Sequence, residues 1–328
     1  ECGSRCAVRD SAVPGSFLCT FITLRGAGYV PHRQYVLEIY RKIMDNTEHI
    51  YHTSAPLLFS YQLFRSGAHE VNIAFTSVAA GNVGLHVDTG EPQAQTLRHR
   101  LRLEGMLSTG LPFLYLNQVH GTTVVCAEDY EPAQYAPQDS ADGFSDTHAQ
   151  HLLEQAPVAD AAYSTNGRPL AIMVADCIPV VLVGQRQDGE LVLAVAHAGR
   201  KGLLDGVLQR TVAAMHEAGA ENICAWLGPS ICGSCYEVPE QMLTASAERI
   251  PQVAAQTRTG TPALDLPAGA IAILEDMGVE VSTELAACTY ETGELYSHRA
   301  FTHGSRPAGR IAGLVWLSAA SEEQEETT

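Results

Sequence analysis

Short runs of aliphatic and β-branched residues alternate along the chain with segments whose apolar residues recur at helical spacing. The runs that predict β-strands cover residues 71–76, 82–87, 111–116, 119–127, 172–175, 191–196, 223–227, 279–281 and 313–317. Helical spacing of apolar residues covers 93–106, 202–218, 241–250 and 266–277. Because strands alternate with helices and some strands follow each other across short turns, the pattern predicts an α/β or α+β fold with mixed β-sheets flanked by helices.

The same pattern divides the chain into three parts. Residues 1–56 carry little periodic apolar character beyond a short amphipathic helix over 35–44, and we interpret them as an N-terminal extension. Residues 57–319 are predicted to form a single catalytic domain. Within that domain, residues 128–159 are rich in Asp, Pro, Gln, Ser and His and are predicted to form a long surface insertion. Residues 320–328 read as an acidic disordered tail.

Charge narrows the possible partners. The chain of 328 residues has a net charge of −17, and the excess of acidic residues lies beyond residue 56. Such a surface repels nucleic-acid phosphates and anionic lipids, so we expect neither a nucleic acid nor a membrane as partner.

No run of residues approaches the roughly 20 apolar residues that a membrane helix needs. Nine scattered cysteines fit reduced thiols, and we expect a cytoplasmic monomer or homodimer.

Three residues with metal-binding side chains lie at the ends of predicted strands. Cys177 follows the strand at 172–175, and His197 follows the strand at 191–196 after a polar turn, so we expect these two strands to be close neighbours. His120 precedes another apolar run. Two histidines and one cysteine resemble the three-ligand sets of catalytic zinc sites, which leave a fourth position for water or substrate. We predict that the three residues form one site.

Other interpretations of these residues remain open. Cys177 could instead be a nucleophile, with His197 or His120 as its base. Asp176, next to the thiol, either orients a histidine ring and so supports catalysis, or caps a turn. His148 and His151 lie at helical spacing, but a solvated loop is the simpler interpretation. Cys232 and Cys235 have C-x-x-C spacing without a second pair, and two nearby free thiols are the simpler interpretation there.

Basic residues follow the predicted site along the chain. Arg200 and Lys201 come directly after His197-Ala-Gly and open the predicted helix at 202–218. The N-terminal amides of that helix and the two basic side chains could hold an anion beside the metal.

Eight short motifs in order make this sequence resemble the laccase-domain or polyphenol-oxidase-type proteins, which are regarded as multifunctional purine nucleoside enzymes. The motifs span about residues 70–317: Q-V-H-G at 118–121, A-D at 159–160 leading to S-T-N-G at 164–167, A-D-C-I-P at 175–179, A-H-A-G at 196–199, G-P-S-I at 228–231, Y-E-V at 236–238, L-D-L at 264–266, and C-T-Y with Y-S-H-R at 288–290 and 296–299.

The resemblance implies a zinc ion held by His120, Cys177 and His197. It implies phosphorolysis of adenosine, inosine and S-methyl-5′-thioadenosine, together with adenosine deamination, so purine nucleosides and phosphate are the expected partners. Guanidinium and ammonium groups suit phosphate, and the candidates for its binding are Arg200, Lys201, Arg299 and Arg310.

The sequence also departs from the family pattern. An active-site Arg expected by the resemblance is replaced by Val78, the family's A-H-A-G-W-R-G is A-H-A-G-R-K-G here, and T-G-R is Ala308-Gly309-Arg310. We expect these changes to affect the binding of substrate and phosphate more than the binding of the metal.

Two alternative functions are a copper-dependent polyphenol oxidase, with Cu²⁺ in place of Zn²⁺, and a hydrolase that edits peptidoglycan precursors.

Overall fold

A computed structural model describes residues 56–66, 69–133 and 145–318. Its strands in chain order are β1 (Leu58–Ser66), β2 (His69–Thr76), β3 (Val124–Cys126), β4 (Ala161–Ser164), β5 (Leu170–Val174), β6 (Ile178–Gln185), β7 (Leu191–Ala198), β8 (Glu221–Leu227), β9 (Ala254–Gln256), β10 (Pro262–Leu264), β11 (Glu280–Ser282) and β12 (Ile311–Leu317). The α-helices of these ranges are α1 (Gln93–Leu107), α2 (Asp146–Gln155), α3 (Arg200–Asp205), α4 (Val207–Glu217), α5 (Glu240–Ala247), α6 (Leu266–Asp276) and α7 (His298–Thr302).

Two larger sheets organise the fold. The four-stranded sheet has the order β1-β2-β12-β5 and the six-stranded sheet the order β11-β8-β6-β7-β4-β3, while β9 and β10 form a small hairpin. The four-stranded sheet is antiparallel throughout, whereas the six-stranded sheet has parallel pairs at both edges. This architecture confirms the predicted class of mixed sheets flanked by helices.

The two sheets pack face to face over a shared apolar core. Ile73 and Ile172 of the four-stranded sheet are fully buried in one cluster with Val181, Val195 and Trp226 of the six-stranded sheet. A run such as β6 is buried on both faces, because α4 and α6 cover the other side of the six-stranded sheet. A strand that is buried on both faces has a nearly continuous run of aliphatic residues in its sequence, and the sequence of β6 shows such a run.

Several predicted strands differ in the structure. Residues 82–87 form no strand, and 111–116 contribute only an isolated bridge between Leu114 and Leu170. The strands β5 and β7 are close neighbours as predicted, but they lie in opposite sheets and contact each other across the core, while β6 pairs with β7. The hairpin at the start of the described chain joins β1 to β2, one strand earlier than predicted.

The predicted helices differ in two places. The helix expected over 202–218 is two helices, α3 and α4, separated at Gly206, which has a φ of 95°. The predicted insertion contains α2, whose first turn is capped by the Ser145 side chain and whose Ala149 is buried. The predicted helix at 35–44, the N-terminal extension apart from Pro56, and the acidic tail lie outside the described residues.

Candidate metal centre

The structure brings His120, Cys177 and His197 together. One possible ligand atom from each of these residues lies within 4.8 Å of the other two. The sulfur of Cys177 is 3.7 Å from Nε2 of His120, and the centroids of the two imidazole rings are 4.6 Å apart. Two imidazole nitrogens and a thiolate at this separation form a donor set that suits zinc or another borderline divalent cation.

The three residues come from different places in the fold. Cys177 lies in the short connection by which the chain crosses from β5 in one sheet to β6 in the other, and His197 lies near the end of β7. His120 lies in a loop before β3 and has a left-handed φ of 60°, while Asp176 beside the cysteine has a φ of 83°. Left-handed conformations are unfavourable for residues other than glycine and must be held by surrounding contacts.

Asp160 supplies such contacts for the left-handed His120 and also bonds the ring of His197. Its buried carboxylate accepts hydrogen bonds from the backbone N–H groups of Val119, His120 and Gly121 at 3.2, 2.9 and 2.6 Å. It also pairs with Nδ1 of His197 at 2.8 Å, which leaves Nε2 of that ring toward the cysteine. Burial raises the pKa of Asp160, but the hydrogen bonds from His197 and Gly121 outweigh it, so the pKa lies below its usual value. Asp160 therefore orients the His197 ring in the way that carboxylates orient the histidines of metal sites.

The sequence left two roles open for Asp176, orientation of a histidine ring or capping of a turn, and the hydrogen bonds of its carboxylate in the structure go to other segments. Its carboxylate accepts hydrogen bonds from the Thr289 hydroxyl at 2.6 Å and from the backbone N–H of Arg299 at 2.7 Å. Its carbonyl accepts from the N–H of Ile231. Asp176 therefore ties the crossover connection to the Thr289 segment, to the first turn of α7 and to the Ile231 loop, and Arg299 and Ile231 line the cavity described below.

Gly199 leaves the space between the three candidate ligands. A Cβ atom at this position would lie 2.8 Å from Cδ2 of His120, 2.9 Å from the sulfur of Cys177 and 3.4 Å from Nε2 of His197. Any larger residue would fill the volume toward which the three donors converge. The donor set and this free volume together fit a bound cation.

The electrostatics of the cluster favour the ligand form of the cysteine. Burial raises the pKa of Cys177, but the charge of His197 and the hydrogen bond with His120 outweigh it and lower the pKa. Burial lowers the pKa of His197, whereas the charge of Cys177 and the bond to Asp160 raise it more. The thiolate is the form that binds metals, and also the form that acts as a nucleophile, so these shifts are compatible with both interpretations.

A cavity of about 620 Å³ opens beside these residues, and all four basic residues singled out in the sequence line it. Arg310 is mostly buried, and its backbone N–H donates to the Asn82 side chain. The Arg299 guanidinium donates to the carbonyl of Glu237 and lies 5.4 Å from the ring centre of Tyr236. Lys201 is exposed and pairs with Asp205 at 3.1 Å.

Residues that sequence reasoning missed complete the cavity wall. His86 lies in it with its side chain exposed to solvent, and desolvation by the neighbouring atoms together with the charge of Arg310 lowers its pKa. Gln118 exchanges two hydrogen bonds with the backbone of Met173, at 2.7 and 2.8 Å, and so fixes the His120 loop to β5. Only the Q-V-H-G and Y-E-V motifs pointed to Gln118 and Tyr236, and nothing in the sequence marked His86.

Two other sequence features lie elsewhere. Val78, where the resemblance expected an arginine, is in a short 3₁₀ turn and does not line this cavity. His148 and His151 lie on α2 and line a separate cavity of about 410 Å³. Among the described residues, they join no group of three or more potential metal ligands. No helix of the described ranges combines the length and apolar character needed to cross a membrane.

A mixed α+β fold with a His–Cys–His donor set beside a basic cavity defines a candidate metal-binding protein. Its sequence matches the family described as "multi-copper polyphenol oxidoreductase laccase" over residues 68–318. This match covers most of the chain, so the protein belongs to that family.

The chain is similar to proteins named purine nucleoside phosphorylase. It is 36% identical to one from Streptomyces coelicolor over 69% of this chain and 84% of the relative, and 34% identical to one from Corynebacterium glutamicum over 73% and 87%. A solved Neisseria meningitidis structure has a TM-score of 0.57 at 28% identity and covers 79% of this chain and 99% of its own. A Bacillus licheniformis hypothetical protein, with a TM-score of 0.58 over 79% and 99% at 21% identity, shares the fold.

Proposed function

We propose that this protein is a zinc-dependent purine nucleoside phosphorylase. The observation that carries the proposal is a single cavity that contains both the three-residue donor set and four basic side chains. The first group suits a cation with an open coordination position, and the second suits an anionic co-substrate. The names of the relatives from Streptomyces and Corynebacterium support this chemistry.

His120, Cys177 and His197 would hold the zinc ion, with Asp160 and Gly199 maintaining the geometry and the space around it. When bound, zinc supplies Lewis-acid stabilisation of an oxygen that gains negative charge. In this proposal Cys177 acts as a ligand, because a thiolate bound to zinc is not free to attack the substrate. Asp176 is a positioning residue that holds the cavity wall.

Phosphate binding is assigned to the basic side chains of the cavity. We propose Arg299 and Arg310 as the main contacts, because guanidinium groups bind phosphate through paired hydrogen bonds. Arg200 and Lys201 add positive charge at the rim. In phosphorolysis a phosphate oxygen forms a bond to C1′ of the ribose while the bond from C1′ to the base nitrogen breaks. The electron pair goes to the base, which takes up a proton, and the sugar is released as its 1-phosphate, which is ribose 1-phosphate for adenosine and inosine.

The purine would lie against the less polar part of the wall. Tyr236, Ile231 and Leu266 line the same cavity and offer an aromatic face and aliphatic contacts to a planar base. Nothing in such a surface selects one purine, so we propose that adenosine, inosine and S-methyl-5′-thioadenosine all react. We further propose adenosine deamination, in which a water oxygen bonds to C6 and ammonia leaves. We place these activities in the cytoplasm.

A product assay tests the function directly. Purified protein with zinc is incubated with each nucleoside, with and without phosphate, and the products are separated by chromatography. We expect free base and the corresponding sugar 1-phosphate only when phosphate is present, and inosine from adenosine when phosphate is absent. If no nucleoside yields free base in the presence of phosphate, the phosphorylase proposal is wrong; if adenosine yields no inosine when phosphate is absent, the deaminase proposal is wrong.

Replacing Cys177 by Ala tests the role of the metal. We expect the variant to lose both activities and the zinc bound at this centre. Cys126→Ser is the matched control, because Cys126 is also a free cysteine and lies outside the cavity. Full turnover by the Cys177 variant would contradict the assignment.

The family description raises a second candidate, copper-dependent oxidation of phenols. Two histidines and a cysteine also occur in blue-copper centres. A multicopper centre needs many histidine ligands for several copper ions. Among the described residues, however, only one group of potential ligands contains histidine, and it contains two. Oxygen uptake with a phenol substrate and added copper tests this candidate, and uptake that depends on Cys177 would favour it over the phosphorylase.

A further inference from the structure

A second group of potential metal ligands lies apart from the three-residue centre. Cys232, Cys235, Cys288 and Glu291 place three sulfur atoms and a carboxylate oxygen within 4.8 Å of one another. The three cysteines are free thiols and are partly buried, while Glu291 is exposed. The C-x-x-C pair, which lacked partners in the sequence, therefore gains two additional potential ligands from a segment more than 50 residues away.

The backbone holds both segments in place without help from a metal. The N–H groups of Cys235 and Tyr236 both donate to the carbonyl of Cys232 at 3.0 Å, which closes the C-x-x-C turn. The Thr289 N–H donates to the carbonyl of Ser230 at 3.0 Å and so fixes the second segment beside the first. The Ser230 N–H donates in turn to the carbonyl of Ala287 at 3.0 Å, so local turns and this two-bond bridge bring the four ligand groups together.

We propose that Cys232, Cys235, Cys288 and Glu291 bind a second divalent cation of the zinc class. Three thiolates and one carboxylate complete a tetrahedral set, so all four positions are filled by protein. Closed sites of this kind are structural, in contrast to the three-residue centre, which leaves one position open. Sulfur-rich sets also select zinc over hard cations such as magnesium or calcium.

A neighbouring arginine compensates the charge of this set. Arg258 forms an ion pair with Glu291. Four anionic ligands around a divalent cation leave a negative charge, which a guanidinium on the outer side reduces.

The position of the site connects it to the cavity of the first centre. Ile231 and Tyr236 flank the C-x-x-C segment and line that cavity, and Thr289, next to Cys288, donates its hydroxyl to Asp176. A cation here would fasten two loops of the cavity wall to each other. The inference does not depend on the proposed reaction, because metal content can be measured without any substrate.

Metal analysis of protein produced in zinc-supplemented medium tests the proposal. We expect about two zinc equivalents per chain in the wild type and about one in the double variant Cys232→Ser/Cys235→Ser. The double variant His120→Ala/Cys177→Ala should also keep about one equivalent, held by the second site. Cys126→Ser, which removes a free thiol outside both groups, should match the wild type. A His120→Ala/Cys177→Ala variant without bound zinc, or a Cys232/Cys235 variant that binds as much zinc as the wild type, would overturn the proposal.

Cobalt spectroscopy identifies the ligands even where a variant folds poorly. In the His120→Ala/Cys177→Ala background, bound Co²⁺ should show thiolate-to-metal charge-transfer absorption and the d–d bands of a tetrahedral site. Glu291→Gln in the same background keeps the three thiolates, so we expect the charge-transfer band with weaker cobalt affinity. Absence of that band, or a Cys232–Cys235 disulfide in protein purified with zinc and without oxygen, would refute a metal site.

Discussion

Asp160 connects the backbone around one candidate ligand to the ring of another. Its four hydrogen bonds hold the left-handed His120 loop and the His197 imidazole with a single carboxylate. Asp160→Asn keeps the size of the side chain but turns an amide N–H₂ toward groups that donate hydrogen bonds. We expect zinc affinity to fall about 10–100-fold, as measured by competition with a chromophoric chelator. Unchanged affinity in a folded variant would show that Asp160 does not position the ligands.

The free volume at Gly199 gives a second prediction for the same centre. Gly199→Ala places a methyl group within 3 Å of both the Cys177 sulfur and the His120 ring. We expect the variant to fold but to bind zinc much more weakly, as measured by the same competition assay. Gly105→Ala is the control, because Gly105 lies in α1 with no atom within 4 Å of the added Cβ. Equal zinc binding by the two variants would contradict the prediction.

Glu128 should make stability depend on pH. Its carboxylate accepts hydrogen bonds from Cys126, the Ser164 hydroxyl and the Thr165 N–H. Burial raises the pKa of Glu128, but these bonds outweigh it, so the pKa lies below its usual value of 4.5. The stabilisation is therefore present above about pH 4.5 and is lost as the pH falls through the lower pKa of the folded state.

The corresponding variant is Glu128→Gln. We expect it to be less stable than the wild type at pH 7 by roughly 1 kcal/mol, a modest value because the group is partly exposed. The difference should shrink below about pH 4.5, as measured by urea unfolding at several pH values. A difference that is constant from pH 7 to pH 3 would show that the Glu128 charge is not involved.

The candidate ligands could be predicted from the sequence because each directly precedes or follows a clear apolar run and has a side chain that can bind a metal. Asp160 and Gly199 could not be assigned their roles in the same way. Asp160 forms hydrogen bonds with residues about 40 positions away in the sequence. Gly199 matters because it has no side chain and therefore leaves the space between the three candidate ligands free. Such contacts depend on the tertiary fold, which periodicity does not describe.

At the level of elements, Gly206 separates two helices that the sequence pattern joins. The apolar face runs through both α3 and α4, so spacing alone predicts one helix, but the left-handed φ of Gly206 ends the first. We expect Gly206→Ala to lower the free energy of unfolding by about 1–2 kcal/mol, because a Cβ is strained in this conformation. Gly206→Asn should lose less, since Asn tolerates this region better. Urea unfolding measures both, and equal stability of all three proteins would contradict the assignment.

The misassigned strand at residues 82–87 has a physical cause. Residues 82–87 have the alternation of a strand, yet their polar groups are satisfied by other means: the Asn82 side chain bonds Gly84 and Arg310, and the Val83 N–H bonds the carbonyl of Arg310. Apolar alternation reports that a segment is half buried, whereas a strand also needs a hydrogen-bonded neighbour. The sequence therefore predicted burial correctly in this segment and pairing incorrectly.

At the level of the whole molecule, Phe75 lies where the two sheets meet. A Cβ at Gly228 would lie 2.1 Å from its ring, and one at Gly313 would lie 2.8 Å from it. We expect Gly228→Ala to destabilise the protein by about 1–3 kcal/mol through overpacking. Phe75→Leu should relieve much of this loss, so the double variant should be more stable than the sum of the single effects predicts. Strict additivity in urea unfolding would show that the clash is not the cause.

The strand order of the smaller sheet has a consequence for how the protein is made. Strand β12 lies between β2 and β5, so the last strand of the described chain joins an early hairpin to the strand that leads into Cys177. During synthesis, His120, Cys177 and His197 therefore emerge from the ribosome well before β12, the strand that completes the four-stranded sheet. We expect stable metal uptake to follow release of the finished chain rather than to accompany its synthesis.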